Sequence, residues 1–217
     1  MTRDEPEFVL DEARTQRLGF GEAVFCAGKS PEQIAAILHA AQNPMLLTRL
    51  DPERFAALPR SQRDALDYDP VSHTAYSGDP MPMDNLVQVA VLTAGTSDVP
   101  VAREAARTLR FQGQDARLIA DVGVAGLWRL LRRVEELRAM RVVIVAAGMD
   151  AALPSVVGGL VGGVVIAVPT SVGYGVAAGG HAALNAILAS CAPGIVTVNI
   201  DNGYGAACAA LRVIGKG

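Results

Sequence analysis

The sequence predicts an α/β protein, a doubly wound parallel sheet of about five strands preceded by a small α+β module. Three observations carry this. From Val87 onward the runs VQVAVLTA, ARLIADV, RVVIVAAG, VVIAVPT and GIVTVNI are apolar on both faces and separated by segments of helical length. That is the pattern of parallel strands covered on either side by helices. Residues 1 to 86 have a different grain, charged and punctuated by proline. Finally, Ala151 to Ile200 contains no Asp, Glu, Lys or Arg, which demands deep core or membrane. A spanning helix needs about 20 apolar residues in succession, and the longest apolar-plus-glycine run, Val156 to Val168, is closed by Pro169. Core is the expected answer, with residues 87–217 as the main domain.

In the first module, SPEQIAAILHAAQ reads as a helix. Ser30 caps it, Pro31 fills the first turn, Gln33 completes a capping box, and Ile34, Ile37 and Leu38 line one face. PMLLTRL follows as a strand, and DPERFAAL repeats the Asp-Pro helix start. Residues 67–85, with three prolines and many turn formers, read as a linker.

Composition narrows the function. With 51% hydrophobic and 19% charged residues the chain is too apolar for disorder. A net charge of −3 gives no electrostatic reason to bind nucleic acid. MTRDEPEFVL is polar and lacks a long hydrophobic region, so no leader, no membrane association and a cytoplasmic location are expected. Cys26, Cys191 and Cys208 are widely spaced and fit no zinc pattern or disulfide framework. The partners expected are small molecules and copies of the same chain.

Ligands of such sheets bind beyond the carboxyl ends of the strands. There the sequence repeats itself: AGTSDVP, AGMDAALPS, PTSVGYG and NIDNGYG follow four of the runs. Glycine lets backbone approach a ligand closely, and helix N-termini offer unpaired N–H groups to anions. The same residues also make tight turns. No Walker loop and no dinucleotide G-x-G-x-x-G pattern is present, which disfavours an ordinary dehydrogenase.

Taken in series, AGTSDVPVAREA, PSVVGGL, PTSVGYG, SCAPG and NIDNGYGAA resemble LarB, the pyridinium-3,5-biscarboxylic acid mononucleotide synthases of nickel-pincer cofactor assembly. The likeness runs through nearly all of residues 87–210 and extends to LDEARTQRLGFGEAVFCAGKSPEQI and LLTRL in the first module. More distantly, TSD and AGMDAALPS...VIAVPT are similar to PurE, the aminoimidazole ribonucleotide carboxylases and mutases. The resemblance implies a flavodoxin-like sheet. It also implies an enzyme that carboxylates the pyridinium ring of nicotinic acid adenine dinucleotide with carbon dioxide or bicarbonate, and hydrolyses the phosphoanhydride with Mg²⁺ to release AMP. A homo-oligomer is expected, an octamer by the PurE analogy.

Under that resemblance Cys191 is the nucleophile that adds to the ring. It lies near the C-terminus of a helix expected to start around Gly180, which does not favour a thiolate, and at the wrong end of its own sheet. A site shared between subunits, with the ring cation stabilising the thiolate, is therefore expected. Cys26 and Cys208 are assigned to packing. Thr96, Ser97 and Asp98 are expected to bind phosphate and ribose, with helix capping as a coexisting role. Asp121 could orient ribose, bind metal, move the ring proton or cap a helix. Asp150 stands where the family has Glu, one methylene or about 1.5 Å shorter, and Trp128 stands where it more often has His. Thr170 and Ser171, with the N–H groups of Val172, Gly173, Tyr174 and Gly175, form a cradle for carboxylate or phosphate. Asn199, Asp201 and Asn202 cluster beside it. His181 reads as a capping or interface residue. Lys29 and Arg49 are the best cations of the first module for an adenylate phosphate. A PurE-like mutase and a noncatalytic nucleotide-binding oligomer are the competing readings.

Overall fold

The structure, a computed structural model, describes residues 7–215. They divide into two compact units at Pro80 and Met81. In the first unit the elements run α1 (Arg14–Leu18), β1 (Ala23–Phe25), α2 (Pro31–Ala40), β2 (Met45–Thr48), α3 (Pro52–Ala57), α4 (Arg60–Ala65), β3 (Leu66–Asp69) and β4 (Thr74–Ser77). The sheet order is β1-β2-β4-β3, with β1 and β2 parallel and the other pairs antiparallel. Helix α2 starts as its sequence requires: the Ser30 hydroxyl accepts from the Gln33 N–H at 3.2 Å, and the Gln33 side chain accepts from the Ser30 N–H at 3.0 Å. Ile34 and Ile37 are buried against Val24, Leu47 and Leu50, and Leu38 packs on that core from its rim.

The stretch 67–85 is not the linker its composition suggests. It holds β4 and most of β3, which form a hairpin, and the turn formers make the reversal between them. The Asp69 carboxylate accepts from the Ser72 N–H at 3.2 Å and from the Ser72 hydroxyl, while His73 takes a left-handed conformation at φ 53°. The second unit begins before Val87, because β5 already pairs with its neighbour at Asp84.

That unit contains β5 (Asp84–Thr93), α5 (Val99–Phe111), β6 (Gln114–Ile119), α6 (Trp128–Leu131), α7 (Val134–Arg138), β7 (Val142–Ala147), α8 (Ala152–Gly158), β8 (Val164–Pro169), α9 (His181–Leu188), β9 (Val196–Thr197) and α10 (Gly203–Ile214). The strands are all parallel, in the order β6-β5-β7-β8-β9. Helices α5 and α10 cover one face, and α8 and α9 the other. All six residues of β7 are buried, which is why its sequence shows no alternation. The fifth strand is shorter than GIVTVNI promised. Gly194 enters it in a left-handed conformation, and as an edge strand it pairs with β8 alone. Among the described residues no helix is long and apolar enough to cross a membrane.

Candidate functional site

Parallel strands put all their carboxyl ends on one edge, so the four recurring loops meet there. Asp98 fastens them. It follows β5 on a single 3₁₀ turn, Thr96–Asp98, and is 3% exposed. Its carboxylate accepts from the Gly95 N–H at 2.9 Å and from the Thr170 hydroxyl at 2.6 Å. The Gly148 N–H bonds to it as well. Burial raises the Asp98 pKa above the ordinary 3.8, the three hydrogen bonds oppose the rise, and the charge of Asp201 adds to it. Gly148 has to be glycine, since a Cβ there would lie 2.2 Å from the Val172 carbonyl oxygen and 2.7 Å from the Thr170 hydroxyl.

The loop after β8 is held from the other side. The Asp201 carboxylate accepts from the Ser171 N–H at 2.8 Å, and the Asp201 N–H donates to the Pro169 carbonyl at 2.8 Å. Asn202 caps α10 by accepting from the Gly205 N–H at 2.7 Å, and Asn199 accepts from the Ile200 N–H at 2.9 Å. Gly173 turns so tightly that a Cβ would meet the Ala177 carbonyl oxygen at 2.3 Å. The turn leaves Tyr174 78% exposed, Gly175 left-handed at φ 57° and Val176 fully exposed.

The expected site residues therefore separate into two kinds. Asp98 and Thr170 are buried and spent on each other and on backbone, while Asp201, Asn199 and Asn202 shape turns. Thr96, Ser97, Ser171, Tyr174 and Asp150 are exposed at the edge. Asp150 stands between Met149 and Ala151, both left-handed, with the Met149 N–H bonded to the Val172 carbonyl at 2.9 Å. Asp121 and Asp201 are left-handed too, so four of the six non-glycine residues with positive φ among those described lie at this edge. Strained backbone concentrates where a protein must present groups in a set geometry.

Asp121 closes the adjoining corner. Its N–H donates to the Thr93 hydroxyl at 2.9 Å, and its carboxylate pairs with Arg129. Trp128 is 58% exposed, with the Arg132 guanidinium 4.6 Å from its ring centroid. The sequence reading singled out Trp128 and missed the arginines beside it. The signal was available: RLLRR is the densest run of positive charge in the chain.

Among the described residues no three His, Cys, Asp or Glu side chains assemble as a metal site. The free cysteines differ in environment. Cys26 is buried, donates to the Val24 carbonyl at 3.6 Å, and is pushed up to about 12 by burial. Cys208 is half-buried on α10, and Cys191 is exposed, three residues past the end of α9. Because α9 runs back from the loop edge, Cys191 belongs to the opposite edge of its own sheet. Lys29 and Arg49 lie in the first unit. Lys29 lines a cleft with Phe8, Gly28, Gln33 and Ile37, and Arg49 is left-handed at φ 56°.

Residues 7–78 match the family described as LarB/PurE-like N-terminal domain, and residues 88–217 match AIR carboxylase. An uncharacterized protein of Methanocaldococcus jannaschii is 50% identical over 123 residues, which is 55% of this chain and 46% of that protein. The chain thus spans about half the length of that relative. Crystal structures of a PurE2 variant and of a PurE from Treponema denticola share 25% and 22% identity with it. Each covers 58% of this chain and 78% of its own, with a TM-score of 0.48. By these two matched domains, the chain belongs to the AIR carboxylase family as a LarB-type member, a LarB N-terminal domain followed by a PurE-like C-terminal domain.

Proposed function

We propose that this protein carboxylates the pyridinium ring of nicotinic acid adenine dinucleotide and hydrolyses its phosphoanhydride, giving pyridinium-3,5-biscarboxylic acid mononucleotide and AMP. Its two domains support the coarser reading, a carboxylase-type enzyme. The observation that carries the finer one is the exposure of Cys191, in a chain whose other two cysteines are buried or half-buried.

A pyridinium ring is electron-poor and cannot attack carbon dioxide unaided. Addition of the Cys191 thiolate at ring carbon 4 gives a neutral dihydropyridine in which carbon 5 is an enamine-type nucleophile. Carbon 5 bonds to carbon dioxide and the ring nitrogen becomes an iminium. Loss of the carbon 5 proton, with Asp150 as the exposed carboxylate offered to take it, returns the enamine. Expulsion of the thiolate from carbon 4 then restores the pyridinium. A proton has been exchanged for a carboxylate, so no oxidant or reductant is consumed. Thr96, Ser97 and Ser171 are the exposed hydroxyls for phosphate and carboxylate. A magnesium ion would assist the hydrolysis by neutralising the charge of the substrate's phosphates.

The loops and Cys191 occupy opposite edges of one sheet, so the working site joins the loop edge of one copy to the thiol of another. Cys191→Ser is expected to abolish carboxylation, and a variant retaining normal turnover would rule the mechanism out. Mixing Cys191→Ser with inactive Asp150→Ala is expected to restore activity, because some pairs then combine an intact edge with an intact thiol. An AIR mutase reading is favoured by the family of the second domain, but its expected second-loop histidine is replaced by Trp128.

A further inference from the structure

Cys191 stands at the tip of a turn that its neighbours hold in shape. Helix α9 closes with the Ala189 N–H on the Asn185 carbonyl at 3.0 Å and the Ser190 N–H on the Ile187 carbonyl at 3.1 Å. The Ser190 hydroxyl then spans Cys191 to accept from the Ala192 N–H at 3.2 Å, a short side-chain turn that fixes the backbone on both sides of the thiol. The same hydroxyl lies 2.7 Å from the hydroxyl of Ser155, 35 positions earlier on α8. We propose that Ser155 and Ser190 are positioning residues for the thiol: their hydroxyl pair ties the Cys191 turn to α8 and so sets where the sulfur is presented to the ring held by another copy. The inference rests on the shared-site reading above and adds to it what aims the sulfur.

Three observations carry it. Ser155 and Gly158 are three positions apart on α8, hence on one face, and both meet the turn. A Cβ on Gly158 would lie 3.1 Å from the Ala192 Cβ and 3.1 Å from the Ile195 Cδ1, so the turn rests on the helix backbone there. Packing at Gly158 fixes how near the turn lies, and the directional hydroxyl pair fixes how it is rotated. Next, both serines are half-buried while Cys191 is exposed. Its backbone, and not a wall of side chains, therefore decides where the sulfur sits. Finally, no Asp, Glu, Lys or Arg occurs from Ala151 to Ile200, so no formal charge of this stretch competes for the two hydroxyls. A reacting atom misplaced by about 1 Å costs on the order of 10²-fold in rate. Here the ring belongs to a different copy, so the aim has to be built into the thiol's own support. The PSVVGG stretch supplies that support, with Ser155 as the tether and Gly158 as the seat.

Ser155→Ala and Ser190→Ala are each expected to lower kcat for carboxylation of the dinucleotide about tenfold, the fold-change of one hydrogen bond. KM stays unchanged, because neither serine belongs to the loops that hold the substrate. Both losses come from one contact, so the double variant is expected to be no slower than Ser190→Ala alone. Gly158→Ala, which pushes the turn from its other side, should lower kcat in the same way, and Ser190→Thr, which keeps the hydroxyl, should retain it. Alanine is a better helix former than serine, so Ser155→Ala keeps its fold even if Ser190→Ala does not. A nitroxide attached to Cys191 in the full chain carrying Cys208→Ala reads the turn without any turnover. Its mobility is expected to rise in both alanine variants and to match the parent in Ser190→Thr. Unchanged label mobility, a loss carried by KM, additive losses in the double variant, or a loss that Ser190→Thr shares would overturn the positioning role. If mobility rises as described and no preparation carboxylates the dinucleotide, the proposed function fails and the tether stands. If carboxylation proceeds and the alanine variants equal wild type in kcat, the positioning role fails and the function stands.

Discussion

Asp98 carries a conflict within a single carboxyl group. Two N–H groups and a hydroxyl favour its ionised form, and burial favours the acid, with burial prevailing. As pH rises above 3.8 the unfolded chain gives up this proton before the folded one does. The titration therefore contributes stability that is complete below that pH and is lost as pH climbs through the raised folded value. Asp98→Ala strands the Thr170 hydroxyl and the Gly95 N–H, a loss of about 1–3 kcal/mol. Urea midpoints are expected to show the gap between wild type and this variant narrowing from acid toward neutral pH. A constant gap would mean that Asp98 does not titrate differently in the two states. The thiols offer a second check at this scale: Cys191 is expected to react first with a thiol reagent, and Cys26 only once the chain unfolds. The sequence revealed that these residues belong to edge loops. It could not reveal that Asp98 and Thr170 face each other, because they are 72 positions apart and meet only when β5 and β8 enter the same sheet.

Among the elements, backbone crowding at glycines sets the loops together with the hydrogen bonds of Asp98 and Asp201. Gly203 opens α10 against α5, where a Cβ would lie 2.3 Å from the Val101 carbonyl oxygen, and the buried Glu104 side chain accepts from the Tyr204 N–H at 3.3 Å, satisfying one of the unpaired donors of a helix N-terminus. Gly148 does the same service between β7 and the loop after β8. Gly148→Ala is expected to destabilise by about 1–3 kcal/mol, as overpacking does, read as a lower midpoint of thermal unfolding. An unchanged midpoint would mean that the two loops can part freely. The central strands were legible because burial on both faces writes itself as unbroken apolar runs. The hairpin of β3 and β4 was not, since its prolines and turn formers look the same whether a chain reverses or merely connects. The arginines beside Trp128 were passed over for a related reason, as charge on a short helix reads as solvated surface until a cleft is seen between it and a strand end.

At the scale of the molecule, each unit has its own core: Ile34, Leu47 and Leu50 centre the first, and Val143, Val145 and Leu153 belong to the second. Residues 81–217 expressed alone are expected to melt cooperatively, and a broad, non-cooperative transition by circular dichroism would show that the second core needs the first. The fifty positions from Ala151 to Ile200 without a formal charge carry one more consequence. They leave Val176, Leu188 and Val196 exposed. Any contact made through those side chains has almost nothing for dissolved ions to screen, and draws its strength from water released around apolar groups, which weakens on cooling. An assembly built on that stretch of the chain should ignore added salt and come apart on ice.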